Sequence, residues 1–542
     1  MEVIKNSLFC RFFGALGRML ARGWKNSLIM RAADGLHQSY LQSNTKKRFD
    51  RFCGGQDLAE ISVWKRFLCA LERLLQWFGA ILEKSVLYKI VIFFRDLYFR
   101  ITEGSLVFGL VNKLSLRRWI MVIFAMYLPV EYILRDMLKI NILASVWEEL
   151  FIALAAVVVV WRVCLGKSQS FTRTSAIEPT MLLFMVVGLC LMFLTRKYAY
   201  IGWAGLRAEV EYMVWFFLML RLIETKEDAR FVIWAFASVV FVLCLHGCYQ
   251  YVIGVPIPAG WTSQTEMDVR TRVFSITGSP NIFGSLIIMA APTSAALMYY
   301  ARKPVWKWFF LATTGIMCIC DLFTFSRGSW VGLIVAIILF AALVDKRIFG
   351  FMGVAMAGIL VAVPSIASRI AYLFTSDYTK ASAAGGRSIR WATGLNLLKR
   401  NNPWLGYGLG RFGGAVAMNN QVQSDVKYFY LDNYYMKTMV EMGYIGLGFF
   451  ILLLLVLLIC GFKALYKAND REYDRSVDPI VRNVGNDKLI CIGVLCGLCG
   501  VITHCFFENI FEEPYMMAYF WGIAAAMIAL QKAPTEGKGE TA

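Results

Sequence analysis

The sequence predicts an all-α membrane protein of about twelve transmembrane helices with one long hydrophilic excursion. Three observations predict it. Hydrophobic residues make up 58% of the 542 and charged residues only 17%, a balance too apolar for a water-soluble domain. Apolar runs of roughly spanning length follow one another from Trp119 to Leu530. The segment 369–433 is the only long polar break among them.

Residues 1–118 precede the spans and hold 20 Lys+Arg against 9 Asp+Glu, a difference of +11. Trp64, Phe67, Leu71, Leu75, Phe78 and Leu82 share a helical face opposite Arg66 and Arg73. The run Ile90–Phe94 is too short to span and is bracketed by Lys89, Arg95 and Asp96. A basic amphipathic region on the cytoplasmic membrane surface is expected, its charge answering anionic lipid and not nucleic acid. The first residues are repeatedly basic without a clean apolar core, so no cleavable signal peptide is expected.

The spans are placed near 119–137, 142–164, 180–195, 208–223, 229–253, 281–300, 304–324, 328–344, 348–368, 435–462, 488–506 and 514–531. The third, fourth and eighth are short. One alternating set of loops carries Arg162, Lys167 and Arg173, then Arg221, Lys226 and Arg230, then Arg302, Lys303 and Lys307, then Lys346 and Arg347. The stretch Lys463–Lys488, with Arg471, Arg475 and Arg482, joins it. Positive loops stay inside, so this set, both termini and the tail 532–542 are expected in the cytoplasm. The 369–433 loop is then outside, with 254–280 and the turns Ser326–Gly328 and Glu508–Glu513. Domain 119–531 forms the membrane body.

The 14 cysteines lie in the N-terminal region or inside apolar spans, so no disulfide framework is expected. Cys491, Cys496 and Cys499 sit beside Gly497 and Gly500 in an apolar helix and read as packing residues. Glu266 and Asp268 form the only close acidic pair in a long outer loop, and a solvated loop explains them better than a divalent ion. No metal and no cofactor are expected. His246 and His504 lie in apolar helices with no second histidine nearby.

The chemistry is expected among the outer polar residues. Arg327, in the Ser326–Gly328 turn between two spans, either snorkels to the headgroups or clamps an anion in a wet cavity. Arg387 follows Gly385-Gly386 and opens a short helix expected over Ser388–Lys399; there it is either a loop arginine or, with the helix amides, a phosphate ligand. Asn402 through Gly414 is a turn-rich clasp whose glycines permit close backbone approach. Asp432-Asn433 precedes the tenth span, where an Asx residue commonly caps a helix; the alternative is a general base. Arg207, Arg272, Arg390, Asn433, Arg411 and Glu508 are weaker candidates for lining a substrate. Glu209 and Glu211 mark the outer start of the fourth span, and Asn281 is expected to cap the sixth.

The order of these features resembles the O-antigen ligase and polymerase superfamily of bacterial envelope glycosyltransferases. The residues that carry the resemblance are Ser326-Arg327-Gly328, Gly386-Arg387 followed by Trp391, and Pro403-Trp404-Leu405-Gly406-Tyr407-Gly408. Asn433, nine residues, Gly443, two residues and Gly446 complete them. It covers roughly 119–530 and is most specific from Ser326 to Gly446. The resemblance implies a C-type glycosyltransferase-like fold in the bacterial inner membrane, working from its outer face without a metal and with inversion. It implies an undecaprenyl-diphosphate-linked glycan as donor, held by Arg327 and Arg387, with Asp432 as base. The acceptor would be lipid A-core for a ligase or a second lipid-linked glycan for a polymerase. Ligases that build lipopolysaccharide usually place a histidine where this chain has Asp432. A transporter or flippase of lipid-linked oligosaccharide is the reading from another class. It should show paired half-sequences and mid-membrane ionisable residues, whereas the arginines here collect at one face.

Overall fold

The computed structural model describes residues 62–534 apart from 195–197, 258–270, 302, 363–366, 369–370, 372–374, 376–386, 423–428 and 468–485, with a few isolated positions before Ser62. Among the described residues the regular structure is helical, with a single isolated bridge between Asn402 and Gly406. The helices are α1 (Val63–Glu83), α2 (Val86–Thr102), α3 (Leu106–Val111), α4 (Leu116–Ala125), α5 (Tyr127–Tyr132) and α6 (Asn141–Cys164). Then come α7 (Ile177–Leu194), α8 (Ala199–Val210), α9 (Val214–Leu222), α10 (Lys226–Ile253), α11 (Pro280–Tyr300), α12 (Pro304–Phe323), α13 (Arg327–Leu343) and α14 (Arg347–Ala362). The last are α15 (Arg387–Arg400), α16 (Ala415–Asn419), α17 (Tyr434–Lys467), α18 (Asn486–His504) and α19 (Pro514–Lys532).

Seven of these are long and apolar enough to cross a membrane: α6, α7, α10, α11, α12, α17 and α18. They correspond to seven of the twelve runs read from the sequence. The other runs differ for local reasons. The first is divided at Met126, between α4 and α5, and ends in a π-helical turn, Ile133–Met137. The fourth is interrupted by a 3-10 turn, Glu211–Met213, next to Arg207 and Glu209. The helices α13 and α14 are apolar but shorter. The helix α19 has the length but is less apolar, with its proline, tyrosines, tryptophan and glutamine, and every residue from Tyr515 to Leu530 is buried. It packs on α9, α10 and α18, while α11 lies between α12, α13 and α18.

The helix α1 begins where Ser62 accepts the Lys65 amide, a side-chain cap that stabilises a helix by about 1 kcal/mol. Its inward stripe is Trp64, Leu68, Leu71, Leu75 and Gly79, which keeps Trp64, Leu71 and Leu75 of the face expected from the sequence and replaces Phe67 and Phe78 by Leu68 and Gly79. Phe67 and Phe78 instead point outward with Leu74, Trp77 and Ile81. At Gly79 a Cβ would stand 1.9 Å from the Cys164 carbonyl oxygen, so only glycine admits this approach to α6. The Lys65 ammonium donates to the Thr172 carbonyl at 2.6 Å.

The two ends of the bundle differ in charge. At one end Arg117 and Arg118 meet Asp228, Arg162 meets Glu224 at 2.7 Å, and Arg230 meets Asp487 at 2.6 Å. Arg173 donates to the carbonyls of Ile223 and Glu224 there, and Lys532 to that of Thr174. This is the set of basic loops that the positive-inside rule groups together. Its charges are held by the buried carboxylates of Asp228 and Asp487 and the half-buried one of Glu224, and loss of Asp228 would leave the buried Arg117 without its nearest partner. The candidate site lies at the other end.

Candidate functional site

The helix α15 lies across the start of α17. Trp391, Leu397, Phe429 and Met436 pack around Tyr407, Phe412, Leu431 and Val440. A Cβ at Gly394 would stand 3.0 Å from the Phe412 ring and 3.2 Å from Val440 Cγ2, so α15 meets both the clasp and α17 closely at that point. Residues three apart share a helix face, which turns Arg387 and Arg390 toward one target. That target is Asp432. Arg387 Nε donates to its Oδ2 at 3.4 Å, and Arg390 Nη1 reaches both carboxylate oxygens at 3.3 Å. Arg390 also donates to the Tyr430 carbonyl at 3.1 Å, and Arg387 Nη2 to the Phe507 carbonyl at 2.9 Å.

The cap of α17 is Asn433. Its Oδ1 accepts the Met436 amide at 2.9 Å, and its carbonyl accepts the Lys437 amide at 3.0 Å. The capping role that the sequence left shared between Asp432 and Asn433 is therefore filled by Asn433. The Asp432 side chain, 23% exposed, faces the two arginines.

Phe507 joins this cluster to the Arg327 turn. Ser326 caps α13 by accepting the Ser329 amide, which puts Arg327 in the first turn, half-buried. A Cβ at Gly328 would stand 2.6 Å from Phe507 Cβ and 2.9 Å from His504 Nε2. The Arg327 turn and the Arg387 guanidinium thus meet the same residue. Behind it, Arg272 donates to the Thr324 carbonyl at 3.0 Å and to Asn281 Oδ1 at 3.3 Å. The Asn281 amide in turn donates to Glu508 Oε2, and the Asn509 amide to Glu508 Oε1 at 3.1 Å. Burial, and then the nearby Asp432 charge, push the Glu508 carboxyl up to about 7.

The glycines of the clasp approach protein backbone. The helix α17 is broken at Gly443, whose φ of 68° and ψ of −171° are not helical. The clasp fills the break: Tyr407 N donates to the Val440 carbonyl at 2.7 Å and Gly408 N to that of Glu441 at 3.0 Å. Tyr444 N donates to the Pro403 carbonyl at 2.9 Å in the opposite direction. A Cβ at Gly443 would stand 2.2 Å from the Trp404 carbonyl oxygen, and one at Gly406 2.5 Å from that of Glu441. The Pro403–Gly408 motif and the Gly443 spacing are two halves of one joint.

Two of the weaker candidates lie elsewhere. Arg411 is buried, donates to the Tyr407 carbonyl at 2.8 Å and stacks 4.2 Å from the Tyr407 ring, which makes it a brace for the clasp. Arg207 is exposed and pairs with Glu149 and Glu211, and no described contact joins it to the Asp432 cluster. The sequence reading passed over Lys437 and Glu441. Lys437 is buried between Glu209 and Glu441, Tyr434 also donates to Glu209, and Glu441 accepts the Phe412 amide at 2.9 Å. Two charges four residues apart at the start of an apolar helix are the signal that could have found them. Gly385, Gly386, Glu266 and Asp268 lie outside the described residues. Among the described residues no group of three His, Cys, Asp or Glu side chains is placed to hold a metal ion.

Apolar helices of membrane length, with arginines and carboxylates gathered at the end away from the basic loops, define a multi-pass membrane protein. Residues 312–451 match the family model described as O-antigen ligase, which supports a place in the O-antigen ligase and polymerase family. The match spans Arg327, Arg387, Arg390, Asp432 and Asn433, and it supports ligase- or polymerase-type activity in surface polysaccharide assembly. No curated protein matches the chain.

Proposed function

We propose that the Arg387–Asp432 cluster transfers a glycan from a lipid diphosphate, undecaprenyl diphosphate by family, to an acceptor hydroxyl at the outer face of the cytoplasmic membrane. The observation that carries this reading is the convergence of two guanidinium groups from α15 on one partly exposed carboxylate, beside the turn that holds Arg327. Diphosphate oxygens pair bidentately with guanidinium as carboxylate oxygens do, and a diphosphate brings more negative charge to two arginines than one carboxylate does. On donor binding, Arg387 exchanges Asp432 for the phosphates, and Arg327 closes on them from the α13 turn. Asp432 Oδ then accepts the proton of the acceptor hydroxyl. The acceptor oxygen bonds to the anomeric carbon from the face opposite the diphosphate, and configuration inverts. The carbon–oxygen bond to phosphate breaks, its electron pair remains on the diphosphate, and the arginines offset the growing charge.

The family description favours a ligase, with lipid A-core as acceptor. Aspartate at 432, where lipopolysaccharide ligases usually have histidine, favours the second reading, a polymerase that joins lipid-linked repeats. Both are tested with purified protein and lipid-diphosphate glycan, alone and with lipid A-core added. A single transfer that requires the core indicates a ligase; laddered products without it indicate a polymerase. Arg387→Ala and Arg327→Ala abolish transfer in either case while the protein stays inserted, and normal transfer by both variants rules the diphosphate site out.

A further inference from the structure

The helix α1 carries a second apolar stripe. Val63, Phe67, Leu74 and Ile81 recur at i, i+4, i+11 and i+18, which sets them in one line, roughly 100° round the helix from the stripe that packs inward. Trp77 and Phe78 broaden that line, and all six side chains are exposed, Leu74 by 56%. Arg66, Arg73 and Lys84 recur at i, i+7 and i+18, so they form an exposed basic row along one edge of the stripe. Glu72 and Glu83 lie on the opposite side of the helix. The helix α2 is apolar almost all round. Lys89, Asp96 and Arg100 form its one polar line, and Arg95 pairs with Asp96 at 2.7 Å. Ile90, Phe93, Phe94, Leu97 and Ile101 are exposed, Phe94 by 62%.

Contacts at both ends of α1 fix where these surfaces lie. Near its start Lys65 donates to the Thr172 carbonyl, and near its end Gly79 meets the Cys164 carbonyl. Both partners belong to the basic end of the bundle, at the last residue of α6 and the turn after it. About 21 Å of helix separates Lys65 from Gly79, so α1 runs along that end and not away from it. Tyr88, in the first turn of α2, stacks on Trp161 in the last turn of α6, with ring centroids 6.0 Å apart. Val157 and Val160, in the same part of α6, are exposed on a helix long and apolar enough to cross a membrane, and so face lipid. The open surfaces of α1 and α2 therefore begin beside a lipid-facing one.

We propose that α1 and α2 are seated in the lipid leaflet at the basic end, with the outward stripe of α1 among the acyl chains and the Arg66–Arg73–Lys84 row on anionic phospholipid headgroups. An apolar stripe edged by cations is the composition of a helix that lies in an anionic interface. The sequence shows one apolar face on α1; the structure divides its residues between α6 and this second surface. A second copy of the chain is a poorer occupant, because a two-fold contact would bring a second basic row to the first.

The test places a nitroxide on purified full-length protein through Leu74→Cys, Phe94→Cys or Gln76→Cys, each read against the labelled wild type. The protein is held in nanodiscs of phosphatidylcholine alone or of an equal mixture with phosphatidylglycerol. Collisions with oxygen, which concentrates in lipid, are compared with collisions with a water-soluble nickel chelate. In the mixed discs oxygen dominates at Leu74→Cys and Phe94→Cys, and nickel at Gln76→Cys. The Leu74→Cys label sits shallower in phosphatidylcholine alone, and that difference vanishes when Arg66→Gln, Arg73→Gln and Lys84→Gln are combined with it. Nickel dominant at Leu74→Cys and Phe94→Cys puts the stripe in water and overturns the proposal. Shielding from both reagents means that protein covers the stripe, a second copy or another segment, and overturns it as well. Equal depth in both lipids, or a difference that survives the loss of the three cations, overturns the assignment to anionic headgroups. Glycan transfer enters none of these readings, so their failure leaves the Arg387–Asp432 reading standing.

Discussion

Asn433 Oδ1 accepts the Met436 amide at 2.9 Å, and that bond separates two roles that adjacent residues share in the sequence. Asn433 caps α17. Asp432, one residue earlier, is turned to Arg387 and Arg390. The expected consequence for stability is specific. Asn433→Ala lowers the unfolding free energy by about 1 kcal/mol, the usual worth of a side-chain cap. Asp432→Ala, which removes a partly exposed pairing, changes it by less. Thermal unfolding of the two variants in one detergent checks the order, and equal losses would mean that the cap is shared.

The joint between the clasp and α17 gives a contrast within one helix. Gly443→Ala places a Cβ 2.2 Å from the Trp404 carbonyl oxygen at a positive φ, so it destabilises by several kcal/mol or prevents accumulation of folded protein. Gly448→Ala has nothing within 4 Å of the added carbon and gains helix propensity of up to about 1 kcal/mol. Monodispersity by size exclusion in detergent, followed by thermal scans, distinguishes them.

Glu513 predicts a pH dependence of stability. Burial, then the charges of Glu512 and Glu508, raise its carboxyl from 4.5 to about 7. The folded protein therefore holds this proton more tightly than the unfolded chain does. The associated stability is fully present below about 4.5 and is lost as pH rises through about 7. Glu513→Gln, which cannot lose a proton, should show a flatter dependence of Tm on pH across that window. A slope identical to the wild type would show that this carboxyl does not contribute.

Much of this was legible in the sequence. The helical class and the extent of α15, to within one residue at each end, follow from apolar run lengths and glycine punctuation. What was not legible depends on pairing across distance. Nothing local says that Gly406 meets Gly443, 37 residues on, because both patterns read as ordinary turn and helix glycines until their backbones touch. Asn281 and Glu508 are separated by 227 positions and joined by one amide. Two residues of the α1 face, Phe67 and Phe78, turn outward because the apolar stripe is wide enough to serve both α6 and an exposed side. The break before α9 was missed because an apolar run records hydrophobicity and not backbone continuity.

The central claim is that Asp432 carries proton transfer and Asn433 carries the fold. Measuring glycan transfer from lipid diphosphate by purified Asp432→Asn and Asn433→Ala, at matched folded concentration, tests it most directly. The account predicts at least a roughly hundredfold loss in Asp432→Asn, as for a lost general base, with unfolding unchanged from the wild type. Asn433→Ala should transfer within a few-fold of the wild type despite its lower stability. Wild-type transfer by Asp432→Asn would contradict the account.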